Sequence, residues 1–399
     1  MLRRFIGISL LLLFLFSGYG FGQTPERLES SWDSFRSSDD NEKDFRFNSF
    51  LNLLEQSIEE KKGKSSDNDF LPGWKVVEKP DGVYSVYTTY IDFEIRPDRL
   101  IYCIYNSERN QAVAHFKEVV RGQDGVDLRI EMELGNEIPS LVVLNSREEL
   151  LHIPDLEVVF LLKKMIQSRG LEIVFSLSDS LKTRIELLIQ NPSTFDNDFA
   201  DYQGLSTLIS SDDKLKIVTW NVEDISGDHY LYGVVGVKNE NIVRAFSLED
   251  KSGEIPTPEY AVLKPEKWFG AVYYEIITEK LQGDVYYTLL GYNGNDAFSR
   301  IRVVDVVTLS NSGRPRFGAL IFDDHGRTKR RLIYEYSNKA NMMLRYEERG
   351  DRIVMDHLAP LEPMYEGDRS YYGPDFSYDV LELKKGRWVL EKNVELRNR

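Results

Sequence analysis

The residues best equipped for chemistry in this sequence are acids and imidazoles towards its C-terminal end: Asp323-Asp324-His325-Gly326, Asp356-His357, Asp368 and Gly373-Pro374-Asp375. A carboxylate beside an imidazole is the pair that general acid and base catalysis uses. Several carboxylates at one rim are also the oxygen ligands that a divalent cation takes. Asp323, His325, Asp356, His357 and Asp375 are therefore the candidate catalytic residues of a hydrolase, or the ligands of a cation whose identity the pattern leaves open. Each has an ordinary use as well. Asp-Asp-His-Gly is turn chemistry, and Asp356-His357 ends a strand ahead of Pro360. The pattern does not decide whether the chain is an enzyme; the expected function is a non-catalytic binding or structural protein, with the hydrolase or cation-binding protein as the alternative.

Other chemistries lack their templates. There is no His-Glu-x-x-His, no cysteine pair, no Gly-x-Ser-x-Gly and neither of the glycine-rich phosphate loops, so no cofactor-binding residues are assigned. Asn293-Gly294-Asn295-Asp296 has oxygen ligands but lacks the spacing and closing Glu of a calcium loop, and reads as a hairpin turn. Flat rings at a rim bind sugars and peptides, and Tyr371-Tyr372, Trp268-Phe269, Trp220 and Tyr292 are the candidates. Aromatic residues are enriched in β cores too, so packing is the alternative for each. A protein or a carbohydrate is the ligand class these rings allow.

The acids and imidazoles lie within a long series of strand-like runs. Trp268 to Asn293 reads as two strands about Gln282-Gly283-Asp284, both rich in Val, Ile, Tyr and Thr. Before it come Lys214 to Val222, Tyr230 to Val237 and Ile242 to Leu248. After it come Arg300 to Leu309, Phe317 to Phe322, Arg331 to Tyr336, Met342 to Tyr346, Ile353 to His357, Tyr378 to Leu383 and Trp388 to Glu391. Short polar connections imply antiparallel neighbours, because a parallel pair needs a long crossover. The expected fold is mainly β (α+β), a long antiparallel meander over 211–399 with a few covering helices. A β-propeller is the alternative, although no signature recurs at a blade-length period.

Upstream, 154–210 changes period. Leu156, Val159 and Phe160 fit one helix, and Ser178 to Gln190 a second that Asn191-Pro192 stops. This helical insert is the expected divider between the meander and a β-rich part at 71–153. In that part strands are expected at Trp74 to Val77, Val83 to Tyr87, Leu100 to Tyr105, Leu128 to Leu134 and Leu141 to Leu144. A helix is expected from Glu108 to Arg121, capped by Ser107, with His115 exposed off its apolar face. The polar segment 23–70 carries one amphipathic helix, Asp44 to Glu60, with its stripe at Phe47, Phe50, Leu51, Leu54 and Ile58.

Residues 1–22 have the pattern of a secretory signal peptide. Arg3-Arg4 is followed by an apolar run from Phe5 to Phe16 and by small residues at Gly20 and Gly22, placing cleavage before Gln23. The expected location is extracytoplasmic, periplasmic or secreted, with no transmembrane span after cleavage. Cys103 is the only cysteine, so no intramolecular disulfide supports the exported chain, and with 42% hydrophobic residues it relies on its core. Cys103 lies in an apolar run and is expected to be buried. The formal charge of −15 argues against nucleic acid as a partner unless a local basic patch overrides it. The best such patch in sequence is Arg327, Lys329, Arg330 and Arg331, read as a solvated turn and strand start.

The phrases Lys267-Trp268-Phe269-Gly270, Tyr286-Tyr287-Thr288-Leu289-Leu290-Gly291, Ile333-Tyr334-Glu335-Tyr336-Ser337 and Gly373-Pro374-Asp375-Phe376-Ser377-Tyr378-Asp379 resemble those of uncharacterised secreted proteins of Bacteroidota. The resemblance covers the C-terminal third. It implies export and a shared C-terminal fold, and brings no site residues with it.

Overall fold

The structure is a computed structural model that describes residues 24–37, 43–63, 74–78, 83–91, 98–119, 129–135, 138–144, 149–153, 155–168, 170–196, 199, 202, 204–240, 242–281 and 283–394. The expected signal peptide lies outside them. The chain divides into two compact units, Met1–Glu133 with Val142–Leu151, and Leu134–Leu141 with His152–Arg399. The fold is mainly β, as the runs of β-formers require. Among the described residues no helix is long and apolar enough to cross a membrane.

In the first unit, helices α1 (Thr24–Ser37) and α2 (Lys43–Glu60) accompany a meander of β1 (Lys75–Glu78), β2 (Tyr84–Ile91), β3 (Asp98–Asn106) and β4 (Gln111–Val119) in that order. The stripe on α2 is buried against Tyr87, Ile101, Ala112 and Ala114, with Cys103 in the same core. Two expectations are corrected here. The polar start of the chain is helical, because Leu28, Trp32 and Phe35 recur at helical spacing and join that core. Glu108 to Arg121 is not a helix: the chain turns at 107–110 and returns as β4. Ala112, Ala114 and Phe116 face the core at period two. The outward N–H groups of Ala112 and Ala114 donate to Glu59 Oε1 and Glu55 Oε1, both at 2.8 Å, so α2 satisfies a strand edge that would otherwise be open. His115 is half-buried and stacks on Tyr102 rather than facing solvent.

A three-stranded sheet of β5 (Arg129–Gly135), β6 (Ile138–Leu144) and β7 (Glu149–Ile153) follows. Then come α3 (Leu156–Gln167), α4 (Leu171–Gln190) and the single turn α5 (Pro192–Phe195). The second helix starts a full two turns earlier than its apolar stripe suggests, with Gly170 as its N-cap. α4 lies on the first sheet of the second unit, in which β8 (Ser206–Ile209), β9 (Leu215–Glu223), β10 (His229–Asn239) and β11 (Ile242–Glu249) form a meander. The helix approaches closely at Gly236, where a Cβ would come within 2.4 Å of Ile189.

The second sheet holds β12 (Val272–Leu281), β13 (Asp284–Asn293) and β14 (Ser299–Leu309), with β15 (Pro315–Phe317) and β18 (Leu332–Ser337) both pairing with β14. The third runs β17-β16-β22-β21-β20-β19, where β16 is Phe322–Asp324, β17 Arg327–Lys329, β18 Leu332–Ser337, β19 Leu344–Glu347, β20 Arg352–Pro360, β21 Tyr372–Lys384 and β22 Arg387–Val394. The meander is therefore interrupted. Phe317 to Phe322 is not one strand, because Gly318 (φ 93°) breaks it where a Cβ would meet the Ala261 carbonyl at 2.8 Å, and its two ends enter different sheets. β16 also pairs with β22 in parallel, Phe322 opposite Trp388. The crossover that a parallel pair needs is supplied by five intervening strands instead of a helix.

One core joins the first and second sheets and another the second and third. Face-to-face packing of successive meanders is the relation between neighbouring propeller blades, but among the described residues these are three sheets, against the four to eight that close a ring. In the second core Glu279 accepts from Trp388 Nε1 at 3.1 Å and from Thr288 Oγ1 at 3.2 Å. Burial raises its pKa to about 7, against the lowering effect of those two donors. The folded chain thus keeps a proton that an unfolded carboxyl near about 4.3 releases. The stability tied to this group is complete below about pH 4 and is lost as pH rises to about 7. Glu279→Gln is expected to stabilise the protein at pH 8 by about 1–2 kcal/mol, allowing for partial exposure, and to have almost no effect at pH 4. Urea unfolding at the two pH values checks this, and an equal effect at both would contradict it.

Candidate functional site: a polar cleft around His357

A cleft of about 480 Å³ in the second unit is lined by charged side chains from six separate segments. The hairpin of β16 and β17 supplies Asp324 and Lys329, and the turn Pro258–Tyr260 supplies Glu259. Lys329 Nζ lies 2.8 Å from Glu259 Oε1 and 2.9 Å from Asp324 Oδ2, and Lys392 on β22 approaches Asp324 Oδ1 at 3.7 Å. Burial alone would raise Asp324, but its bond to Lys329 and the charges of Lys329 and Lys392 outweigh this and lower its pKa. Burial likewise pulls Lys329 down, and its two carboxylates more than offset it. Asp324 and Lys329 therefore stay ionised at neutral pH.

The opposite side is built by two irregularities in the third sheet. The register of β20 on β21 shifts between Asp356 and Leu358, and that of β21 on β22 shifts between Tyr378 and Val380. His357 and Asp379 are the residues at those two bulges. A bulge re-aims a side chain that regular alternation would place elsewhere. The bulges bring His357 Nδ1 within 2.9 Å of Asp379 Oδ1 and 3.0 Å of Oδ2. Asp379 is 4% exposed and also accepts the Asn393 N–H at 3.1 Å, so it is a fixed partner that orients the ring. Among the described residues Nε2 of His357 has no protein partner. Nearby in β21, Phe376 holds φ 71° and is 95% exposed, a conformation a bulky residue rarely keeps without cause.

Tyr334 and Glu335 on β18, with Arg369, complete the polar lining. The Tyr334 hydroxyl is shielded from solvent and makes no hydrogen bond. Burial first, then the charges of Asp379, Asp324 and Glu259, push its pKa far above the usual phenol, so it remains a proton donor. Tyr260 contributes a ring that is 48% exposed.

Of the five residues singled out in sequence, His357 alone lines this cleft. Asp323 accepts the Gly326 N–H at 2.6 Å inside its turn, where His325 is exposed at φ 52°. Asp356 accepts the Met343 N–H at 2.7 Å, and Asp375 holds Ser377 through its N–H and hydroxyl at 3.0 and 2.6 Å. Burial would raise the pKa of Asp375, but the bonds from Ser377 outweigh it and lower it. Asp368 caps the turn at Ser370. Among the described residues no group of three or more His, Cys, Asp or Glu is arranged to hold a metal. Trp220, Trp268, Phe269 and Tyr372 are buried, Tyr292 is half-buried beneath Arg302, and Tyr371 is exposed but stacks on Tyr365 at 4.3 Å.

Sequence reasoning missed Asp379, Glu259, Lys329, Lys392 and Tyr334. Asp324 stood in the quoted motif without being chosen. The bulges that pair His357 with Asp379 leave no mark in the hydrophobic pattern, and Glu259 is brought to Lys329 across 70 residues of chain. Comparison of the chain with protein-family models and with curated proteins returns no match to either.

Proposed function

We propose that this chain is an exported, non-catalytic binding protein that takes a hydroxyl-rich ligand, a saccharide, in the cleft around His357. The observation that carries this reading is the balance of the lining. Four carboxylates (Glu259, Asp324, Glu335 and Asp379) face three cations (Lys329, Lys392 and Arg369), with an imidazole and a phenol among them. Such a wall offers acceptors and donors in alternation and little net charge, which suits hydroxyl groups better than an ion of either sign. Tyr260 at the rim offers a flat apolar face to a sugar ring. Export is supported by the residues at 3–22 and by the resemblance of the C-terminal third. A net charge of −15 supports a partner other than nucleic acid.

Saturation-transfer NMR and calorimetry on the full chain, with neutral mono- and oligosaccharides of glucose, mannose, galactose, xylose and N-acetylglucosamine, test this. At least one is expected to bind, with Tyr260→Ala and His357→Ala each weakening it about tenfold, or about 1.4 kcal/mol. No binding by any of them, or binding indifferent to both substitutions, would overturn the reading.

A second reading rests on the His357–Asp379 pair, which resembles the base and orienting group of a hydrolase with Nε2 facing the cleft. It is the weaker one because Asp324 is held ionised by Lys329, so it cannot serve as the protonated partner acid a glycosidase needs. Turnover of nitrophenyl glycosides or esters that disappears in His357→Asn would favour it over simple binding.

A further inference from the structure

A second cleft in the same unit, about 1010 Å³, is built differently. Five cations line it, Lys214, Lys264, Arg314, Arg316 and Arg330, against the single acid Asp284. They come from the turn before β9, the loop after Leu263, the β14–β15 connection (Arg314), β15 itself (Arg316) and the residue after β17. The run Arg327 to Arg331 that looked basic in sequence is meanwhile dispersed. Arg331 is buried on Asp305, Lys329 is held by Glu259 and Asp324, and only Arg330 of the three reaches this cleft. Among the described residues Arg314 is paired with Glu266, whereas Lys214, Lys264, Arg316 and Arg330 have no ion-pair partner. Lys214, Arg316 and Arg330, with Lys264 sharing the charge of Glu266 with Arg314, leave an excess of positive charge in one concavity of a chain carrying −15 overall, a local field opposite in sign to that of the molecule.

We infer that this cleft binds a short anionic oligosaccharide, whose carboxylate or sulfate groups meet Lys264, Arg316 and Arg330 and whose hydroxyls meet the Thr308, Ser310 and Ser312 side chains. The site is separate from the cleft around His357. Two other acidic partners fit less well. An extended acidic peptide would add to a strand edge, but the free edge of β15 here is already taken by Leu263, which exchanges backbone hydrogen bonds with Phe317 at 2.8 and 3.0 Å. A nucleic acid carries charge continuously at about 1.7 Å intervals in the duplex and would run past the cleft onto a surface of its own sign. Single-stranded bases need exposed rings to stack on; of the two tyrosines in this wall Tyr287 is 1% exposed, with its hydroxyl on Asp212, and Tyr286 is half-buried against the core between the second and third sheets.

The test is calorimetry on the full chain with four probes: a galacturonate tetramer, a sulfated galactose tetramer, a hexaglutamate peptide and neutral cellotetraose. At least one of the two anionic oligosaccharides is expected to bind, at least tenfold tighter at 25 mM than at 150 mM salt. Which of them binds tighter separates carboxylate from sulfate as the recognised group. Lys264→Ala/Arg316→Ala, in which both altered side chains are exposed, is expected to weaken that binding at least tenfold. His357→Ala leaves it unchanged. Failure of both anionic sugars to bind would overturn the inference, as would equal binding of cellotetraose, tighter binding of hexaglutamate, or indifference to the double substitution.

Discussion

Asp305→Ala is expected to lower the unfolding free energy by about 3–5 kcal/mol, because it strands a buried cation. Asp305 and Arg331 are both fully enclosed, with Arg331 Nε 3.1 Å from Asp305 Oδ2. That contact is one of charge more than of an aligned hydrogen bond. Tyr273 donates to the same carboxylate at 3.3 Å and receives the Trp268 indole N–H at 2.9 Å, while the other carboxylate oxygen takes the Val306 N–H at 2.8 Å. Arg331 also donates to the carbonyls of Pro258 and Ala261, and so fixes the turn that carries Glu259 and Tyr260 into the cleft around His357. Removing Asp305 leaves a guanidinium in the core with carbonyls as its remaining partners. The double change Asp305→Ala/Arg331→Met is expected to recover more than half of the loss, since it removes the stranded charge and fills the space with an apolar chain. Urea unfolding of the wild type and the two variants decides it. A single-variant loss under about 1 kcal/mol, or a double variant worse than the single, would show that the pair is not what holds this region.

Trp388→Ala is expected to cost about 3–5 kcal/mol, the usual range for deleting a buried aromatic ring. Trp388 is fully buried in the core between the second and third sheets, and its indole N–H is shared by Glu279 and Thr288. Two losses therefore combine, a cavity and a missing donor to a half-buried carboxyl. The second depends on pH. While Glu279 is protonated it needs the donor little; once ionised it needs it more, so the cost is expected to be larger at pH 8 than at pH 5. Trp388→Phe, which keeps most of the volume and removes the donor, is expected to show the pH-dependent part with a smaller constant part. Denaturation curves at the two pH values measure both components. A cost for Trp388→Phe that does not change with pH would remove Glu279 from the account.

The sequence by itself determined the mainly β class, the positions of the longer C-terminal strands, the burial of Cys103 and the helix that ends at Glu60. Each of these follows from interactions between residues close in the chain. The pleat alternates every second residue, the helix repeats every 3.6, and glycine admits the positive φ that Gly283 takes at 101° in the expected hairpin turn. Where a local pattern had two readings the chain alone chose wrongly. Val113, Phe116 and Val119 fit a helix, and it was the outer edge of β3, with two glutamates of α2 waiting for the N–H groups of Ala112 and Ala114, that made the segment a strand. Tertiary structure alone decided the parallel pairing of β16 with β22, since β16 is only three residues long and its contact with β22 spans more than sixty residues. It also decided the site. His357 was visible as an imidazole beside an acid, but the adjacent Asp356 points to a backbone N–H. The acid that orients His357 is Asp379, brought round by two bulges that shift register without altering composition. The basic run at Arg327 to Arg331 was similarly legible as charge and illegible as field, because a field is the sum over neighbours in space, and folding sent its cations to three different surroundings.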